Sequence, residues 1–367
     1  MANYTGNYQN MTGRPSFYMS WTHFLWSNQF KYNDDVFPVF SQATGFSQTN
    51  TDTFNSVLDF NSSVQKTFFP TSSGGNEIQY RLCDTSHTDN FKLVNEPNGL
   101  VFDYVFVLNH NLKSAGAVMS FKDSLDVTGI VNEGFEYDGF SLFKINSISN
   151  TSSVLTLKFD PKFTAYTDDI KIGSIIFAKK FTMPVTPHVN HSLTFLNASS
   201  TVNTSFMGNK FYNTPNLYGK GGAFRVHDNT DSKGVVKSGL RRYNISFDTL
   251  LNETTISGKS SLFPVNEAAN INPSADGYML DSDTIYTDYP NGIPQEEEGV
   301  TWKSNSFVGR VWSLTNGYTN PFIFLPNNDY ESHNDQYSIC KIKGDTFKAD
   351  QVANGAYKIR LEVQEQA

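Results

Sequence analysis

The chain is predicted to be all-β, a jelly-roll or β-sandwich domain joined to a second β-domain. Three observations lead there. The composition is 14% aromatic but only 17% charged, with 31 Phe and 18 Tyr, and aromatic side chains favour strands. Residues 101–108 form an almost continuous β-branched and aromatic run with one charge, Asp103, as in a strand covered on both faces. The remaining apolar runs are short and separated by turn residues, and no helix-length amphipathic period occurs.

Taken in order, residues 1–15 are polar and read as a flexible or docking arm. Residues 17–26 are dense in aromatics without clean alternation (Phe17, Met19, Trp21, Leu25), which fits either a strand or a short helix. Residues 41–63 are rich in Ser, Thr and Asn with scattered Phe, as loops and short edge strands are. From 64 to 182 strand patterns recur. The 101–108 strand runs into a polar loop that ends at Gly116. Residues 139–145 form a further strand, and in the next Leu155, Leu157 and Phe159 face one way while Thr156 and Lys158 face the other. Residues 172–178 read as a buried strand with a glycine near its start.

Pro184 and Pro187 then mark a boundary. Beyond it, Tyr243, Ile245 and Phe247 share a strand face, and residues 265–299 are loop-like and end in the acidic run 296–298. Residues 304–314 and 320–325 read as strands, with Trp312 packed in the core beside Val311. Residues 357–363 alternate throughout. No internal repeat of fixed period is present. The implied division is an arm with lead strands at 1–60, a jelly roll at 61–182 and a second β-domain at 183–367. Pairing of 1–60 with the C-terminal region would make the jelly roll an insertion into a discontinuous domain.

Length and charge narrow the function classes. At 367 residues the chain exceeds one typical domain. A net charge of -8 advertises no basic face, and the stretch 233–242 is too dilute in Lys and Arg for a phosphate track. Nucleic acid is therefore not an expected partner. Cys83 and Cys340 show no metal spacing and lie in apolar alternation, as buried free thiols do. No run approaches the ~18 apolar residues that span a bilayer, so no membrane association is expected. The N-terminus lacks signal-peptide regions. Asn-x-Ser/Thr triplets, as at Asn61, Asn197 and Asn244, are expected by chance in this composition. The protein reads as made in a cytoplasm.

The chain carries no nucleophile elbow, phosphate-binding loop, zinc-protease motif or dinucleotide fingerprint. His188 and His191, three apart, would fall on opposite faces of a strand rather than share a metal. His110 lacks an obvious carboxylate partner. The acidic stretch with Asp276, Asp281, Asp283 and Asp288 loosely suggests calcium but lacks the ordered twelve-residue loop. Paired carboxylates for glycoside hydrolysis cannot be picked out by spacing alone. The candidate ligand-binding residues are Asn109, His110, Asn111, Lys113 and Ser114, in the loop leaving the buried strand. Trp21, Trp26, Trp302 and Trp312 are the tryptophans that could stack on a sugar. No enzyme activity and no cofactor are expected.

Three blocks together carry a resemblance. Tyr104-Val-Phe-Val-Leu-Asn-His-Asn-Leu-Lys-Ser-Ala-Gly-Ala117 resembles a strand and loop of a discoidin-like, galactose-binding-type jelly roll in tail proteins of tailed bacteriophages. Gly173-Ser-Ile-Ile-Phe-Ala-Lys-Lys-Phe-Thr-Met-Pro184 is similar to the strand by which those proteins leave that domain. Gly239-Leu-Arg-Arg-Tyr-Asn-Ile-Ser-Phe247, Arg310-Val-Trp-Ser-Leu314 and Asn320-Pro-Phe-Ile-Phe324 look like strands of a distal-tail or baseplate-type domain. The resemblance covers about half the chain, chiefly 100–120, 172–187 and 239–363. It implies a structural virion protein of the tail tip, baseplate or an adaptor, forming a symmetric homo-oligomeric ring with other virion proteins and assembled in the host cytoplasm. The other functions consistent with it are a receptor-binding adhesin for host surface glycans, a capsid decoration or head-to-tail connector, and a glycan-degrading tail enzyme. Low charge and high Phe and Tyr suit long-lived ring interfaces.

Overall fold

The computed structural model describes residues 13–27, 31–32, 35–36, 39–47, 51–62, 64–71, 75–81, 102–122, 138–145, 154–188, 192–196, 201–204, 210–213, 240–251, 307–331, 336–344, 347–353 and 356–366. The first strands in chain order are β1 (Ser16–Ser20), β2 (Lys31–Tyr32), β3 (Asp35–Val36), β4 (Val39–Thr44), β5 (Lys66–Phe68), β6 (Asn76–Arg81) and β7 (Tyr104–Leu108). Next come β8 (Ala117–Lys122), β9 (Phe140–Lys144), β10 (Val154–Pro161), β11 (Ile170–Ile172), β12 (Ser174–Thr182) and β13 (Ser192–Leu196). The remainder are β14 (Thr201–Thr204), β15 (Lys210–Asn213), β16 (Leu240–Leu251), β17 (Phe322–Leu325), β18 (Ser338–Ile342), β19 (Ala349–Ala353) and β20 (Ala356–Glu365). Two short helices accompany them, α1 (Trp21–Ser27) and α2 (Thr51–Ser56).

The strands form antiparallel sheets in a sandwich-like arrangement. A ten-stranded sheet runs β13-β16-β20-β18-β17-β1-β12-β7-β9, with β19 also on β20, and a four-stranded sheet runs β4-β6-β10-β8. The all-β prediction therefore holds. The larger sheet takes strands from each of the stretches 1–60, 61–182 and 183–367, because β1 pairs with β12 on one side and β17 on the other.

Period-two alternation explains the layering. Val105 and Val107 of β7, Ile175 and Phe177 of β12, and Phe17 and Met19 of β1 join one large core. That core also takes Ile78 and Tyr80 of β6, Met119 and Phe121 of β8, and Leu155, Leu157 and Phe159 of β10. It is the filling between the two sheets. The intervening residues Tyr18, Phe106, Leu108, Ile176 and Ala178 enter a second cluster with Ile323, Leu325 and Tyr337 on the opposite face. The centre of the large sheet is thus buried on both sides, as the run at 101–108 predicts. Each fully buried aliphatic or Phe side chain contributes about 1.5–3 kcal/mol. In the second cluster Lys180 Nζ sits 5.5 Å from the Tyr18 ring and 5.4 Å from the Tyr104 ring, and pairs with Glu331 at 2.8 Å.

Several elements differ from the sequence expectation or resolve it. The 17–26 run is both alternatives in succession: β1 ends at Ser20, whose Oγ accepts a 3.3 Å bond from the His23 N–H and so caps α1. Residues 304–314 were expected to be a strand. Instead Val308–Trp312 is a π-helical turn, because Phe307, Val308, Val311 and Leu314 recur at helical spacing and all are buried. Trp312 accordingly lies outside any strand, half-buried, its ring 5.4 Å from Phe347. Of the expected arm, residues 13–15 are held: Arg14 and Asn328 exchange bonds of 3.2 and 3.0 Å, and Met183 N–H donates to Pro15 O at 2.9 Å. Residues 1–12 lie outside the described residues, as does Cys83. Cys340 is buried and free, and burial pushes its thiol up to about 12.

Candidate functional site

The loop between β7 and β8 is built as a buried polar staple. Asn109 takes a left-handed backbone, φ 52°, a conformation Asn tolerates better than most side chains. Its Nδ2 donates to Ser62 O at 2.8 Å, while Gln65 Nε2 donates to Asn109 O and Oδ1 at 3.1 and 3.2 Å. Asn111 Nδ2 donates to Asp169 O at 2.9 Å, and its Oδ1 accepts from the Lys171 N–H at 2.6 Å. The Ser114 hydroxyl and N–H both donate to the Asp138 carboxylate. Thr167 Oγ1 closes the turn by donating to Ser114 O at 2.5 Å. Lys113 is half-buried in the same turn. The loop so joins β7 to the chain before β5, to the approach to β9 and to β11.

His110 is 2% exposed, with Nε2 at 2.9 Å from Ser141 Oγ. The Leu112 N–H donates to its Nδ1 at 3.3 Å. With Nδ1 accepting, the neutral ring carries its proton on Nε2 and donates to the serine. A serine nucleophile needs the reverse arrangement, with Nε2 as base and Nδ1–H held by a carboxylate. The pair as drawn is a structural bridge from the loop to β9.

Gly173, at the start of β12, completes the staple. Its N–H donates to both Leu108 O and Asn109 O at 3.0 Å. A Cβ there would lie 2.4 Å from Ser62 O and 2.9 Å from Asn109 Cβ. Glycine is required by that close approach.

A second polar centre sits on the β16–β20 ladder. Arg241 and Glu365 are each 1% exposed and paired through Nε to Oε2 at 3.1 Å and Nη2 to Oε1 at 3.2 Å. Arg241 Nη2 also donates to Tyr337 O at 2.6 Å, and its backbone N–H to Glu365 Oε2 at 2.8 Å. Burial pushes the Glu365 carboxyl up to about 8, against the downward pull of that backbone bond. Sequence reasoning missed this pair, because Arg241 and Glu365 lie 124 positions apart at the ends of their strands.

The outward face of the same ladder bounds a cleft of about 440 Å³ lined by His188, Asn244, Ser246, Asp248, Lys358 and Arg360 among others. His188 Nε2 lies 3.1 Å from Asp248 Oδ2, and Lys358 Nζ lies 2.5 Å from Oδ1. The Lys358 hydrogen bond holds the Asp248 carboxyl below the usual carboxylate range. Glu362 Oε1 lies in ion-pair distance of Arg242 Nε and Lys343 Nζ, 3.0 Å from each. His188 thus reaches a carboxylate; His191 lies outside the described residues. So do Asp276, Asp281, Asp283, Asp288 and Trp302. Among the described residues, no group of three or more His, Cys, Asp or Glu has the arrangement to hold a metal ion.

Comparison of the chain with protein-family models, with curated proteins and with solved structures finds no match.

Proposed function

We propose that the chain is a non-enzymatic structural component of a tailed-phage particle, a tail-tip, baseplate or adaptor protein that closes into a symmetric ring of identical copies. One observation supports this reading most. The strands β7, β12, β16 and β17, which carry the resemblance blocks, all belong to one sheet, and β17-β1-β12-β7 are consecutive neighbours in it. Blocks scattered over more than two hundred residues of sequence therefore form one physical unit. The exception is the block 310–314, which is a helical turn.

The physics of a ring subunit agrees. A sheet centre buried on both faces is stiff, so little ordering entropy opposes association. A chain with only 17% charged residues suits long-lived interfaces, which are depleted in charge. Other virion proteins would be its partners, the virion its location and the host cytoplasm its place of assembly. Cryo-electron microscopy of intact particles from the source, with this chain traced, tests the reading. A symmetric ring at the tail is the expected result, and absence of the chain from the particle overturns it.

A further inference from the structure

We propose that the cleft on the β16–β20 face binds a small polyhydroxylated anion, a sugar bearing a phosphate or carboxylate group, with Arg360 as its anchor. The site is independent of whether the chain assembles into a ring. Its volume, about 440 Å³, lies in the range of ligand pockets and exceeds what one inorganic ion fills. Lys343, Lys358 and Arg360 line it against two carboxylates, Asp248 and Glu362, a local excess of positive charge in a chain of net charge -8.

The cations are not equivalent. Lys358 is matched by Asp248, and Lys343 by Glu362. Arg360 is exposed and makes no ion pair or side-chain hydrogen bond among the described residues, while sitting close enough to Asp248 to lower its carboxyl. A guanidinium fork takes phosphate or carboxylate oxygens two at a time. Register places Arg360 across from Ser246, and Glu362 across from Asn244. Next to the anchor there are therefore an amide, a hydroxyl and two carboxylates, the donors and acceptors that sugar hydroxyls require. His188 closes one side, tied to the strand by its N–H to Ser246 O at 2.8 Å.

Isothermal titration calorimetry of the full chain with glucose 6-phosphate, glucuronate, glucose and inorganic phosphate is the test. Saturable binding of glucose 6-phosphate or glucuronate is expected, with Kd on the order of 1 mM or tighter. Arg360→Gln should weaken it by about tenfold or more without moving the melting temperature, and Arg360→Lys should restore part of it. Equal binding of glucose overturns the anion requirement, and phosphate binding as tight as glucose 6-phosphate overturns the sugar requirement. Unchanged affinity in Arg360→Gln removes the anchor. No saturable heat from any probe overturns the proposal.

Discussion

The β1–β12–β7 seam and the β16–β20 ladder belong to one sheet yet solve different problems. In the seam both faces are covered, so every residue of β1 is buried and its central side chains feed separate clusters in turn. In the ladder Tyr243, Ile245, Phe247, Leu250, Ile359, Leu361 and Val363 face the core, while Asn244, Ser246, Asp248, Arg360 and Glu362 face outward. The seam resists change because no side chain has anywhere to go. The ladder can carry chemistry because half of its residues are not needed for packing.

The largest effect should come from the one place where the ladder breaks its own rule. Arg241→Ala strands the Glu365 carboxylate among apolar groups and is expected to cost about 3–5 kcal/mol in denaturant unfolding. Replacing both, Arg241→Met with Glu365→Leu, should cost far less, because no charge is left unpaired. If the double variant is as unstable as the single one, packing and not charge governs this end of the ladder.

Gly173→Ala probes the seam. The added methyl meets Ser62 O and Asn109 Cβ, so a loss of about 2–3 kcal/mol is expected from overpacking. A stability within about 0.5 kcal/mol of the parent would mean that the staple yields easily.

His23 gives the pH dependence. Burial, with Lys341 adding to it, lowers its pKa to about 4, against about 6.5 in the unfolded chain. Between these values the unfolded state binds the extra proton, so stability is full above pH 6.5 and falls as pH drops towards 4. The ring is partly exposed, which limits the loss to the order of 2 kcal/mol. Thermal unfolding of His23→Gln across this window should show a flatter profile than the parent.

The smallest effects belong to the surface. Phe163, 71% exposed, should tolerate Phe163→Ser within about 0.5 kcal/mol by denaturant unfolding. A larger loss would place its ring against a neighbour in solution.

What the sequence revealed follows the same division. Period two was readable in β10, β16 and β20, and continuous apolar runs in β7 and β12, because their neighbours impose burial on alternate residues in the first three and on nearly all residues in the other two. The polar character of the 109–116 loop was also readable. Its internal bonding was not, since Ser62, Gln65, Asp138 and Asp169 are distant in sequence. The turn at Val308–Trp312 was misread because Val and Trp suggest a strand, while the helical spacing of Phe307, Val311 and Leu314 decides the outcome. The β16–β20 cleft was invisible because His188 joins it from outside both strands, and residues opposed in register are about 115 positions apart.

The measurement that bears most directly on the central claim is native mass spectrometry of the full chain at micromolar concentration. The structural reading predicts a closed oligomer of one defined copy number. A strict monomer at every concentration reached, in a protein that also never enters purified particles, would contradict it.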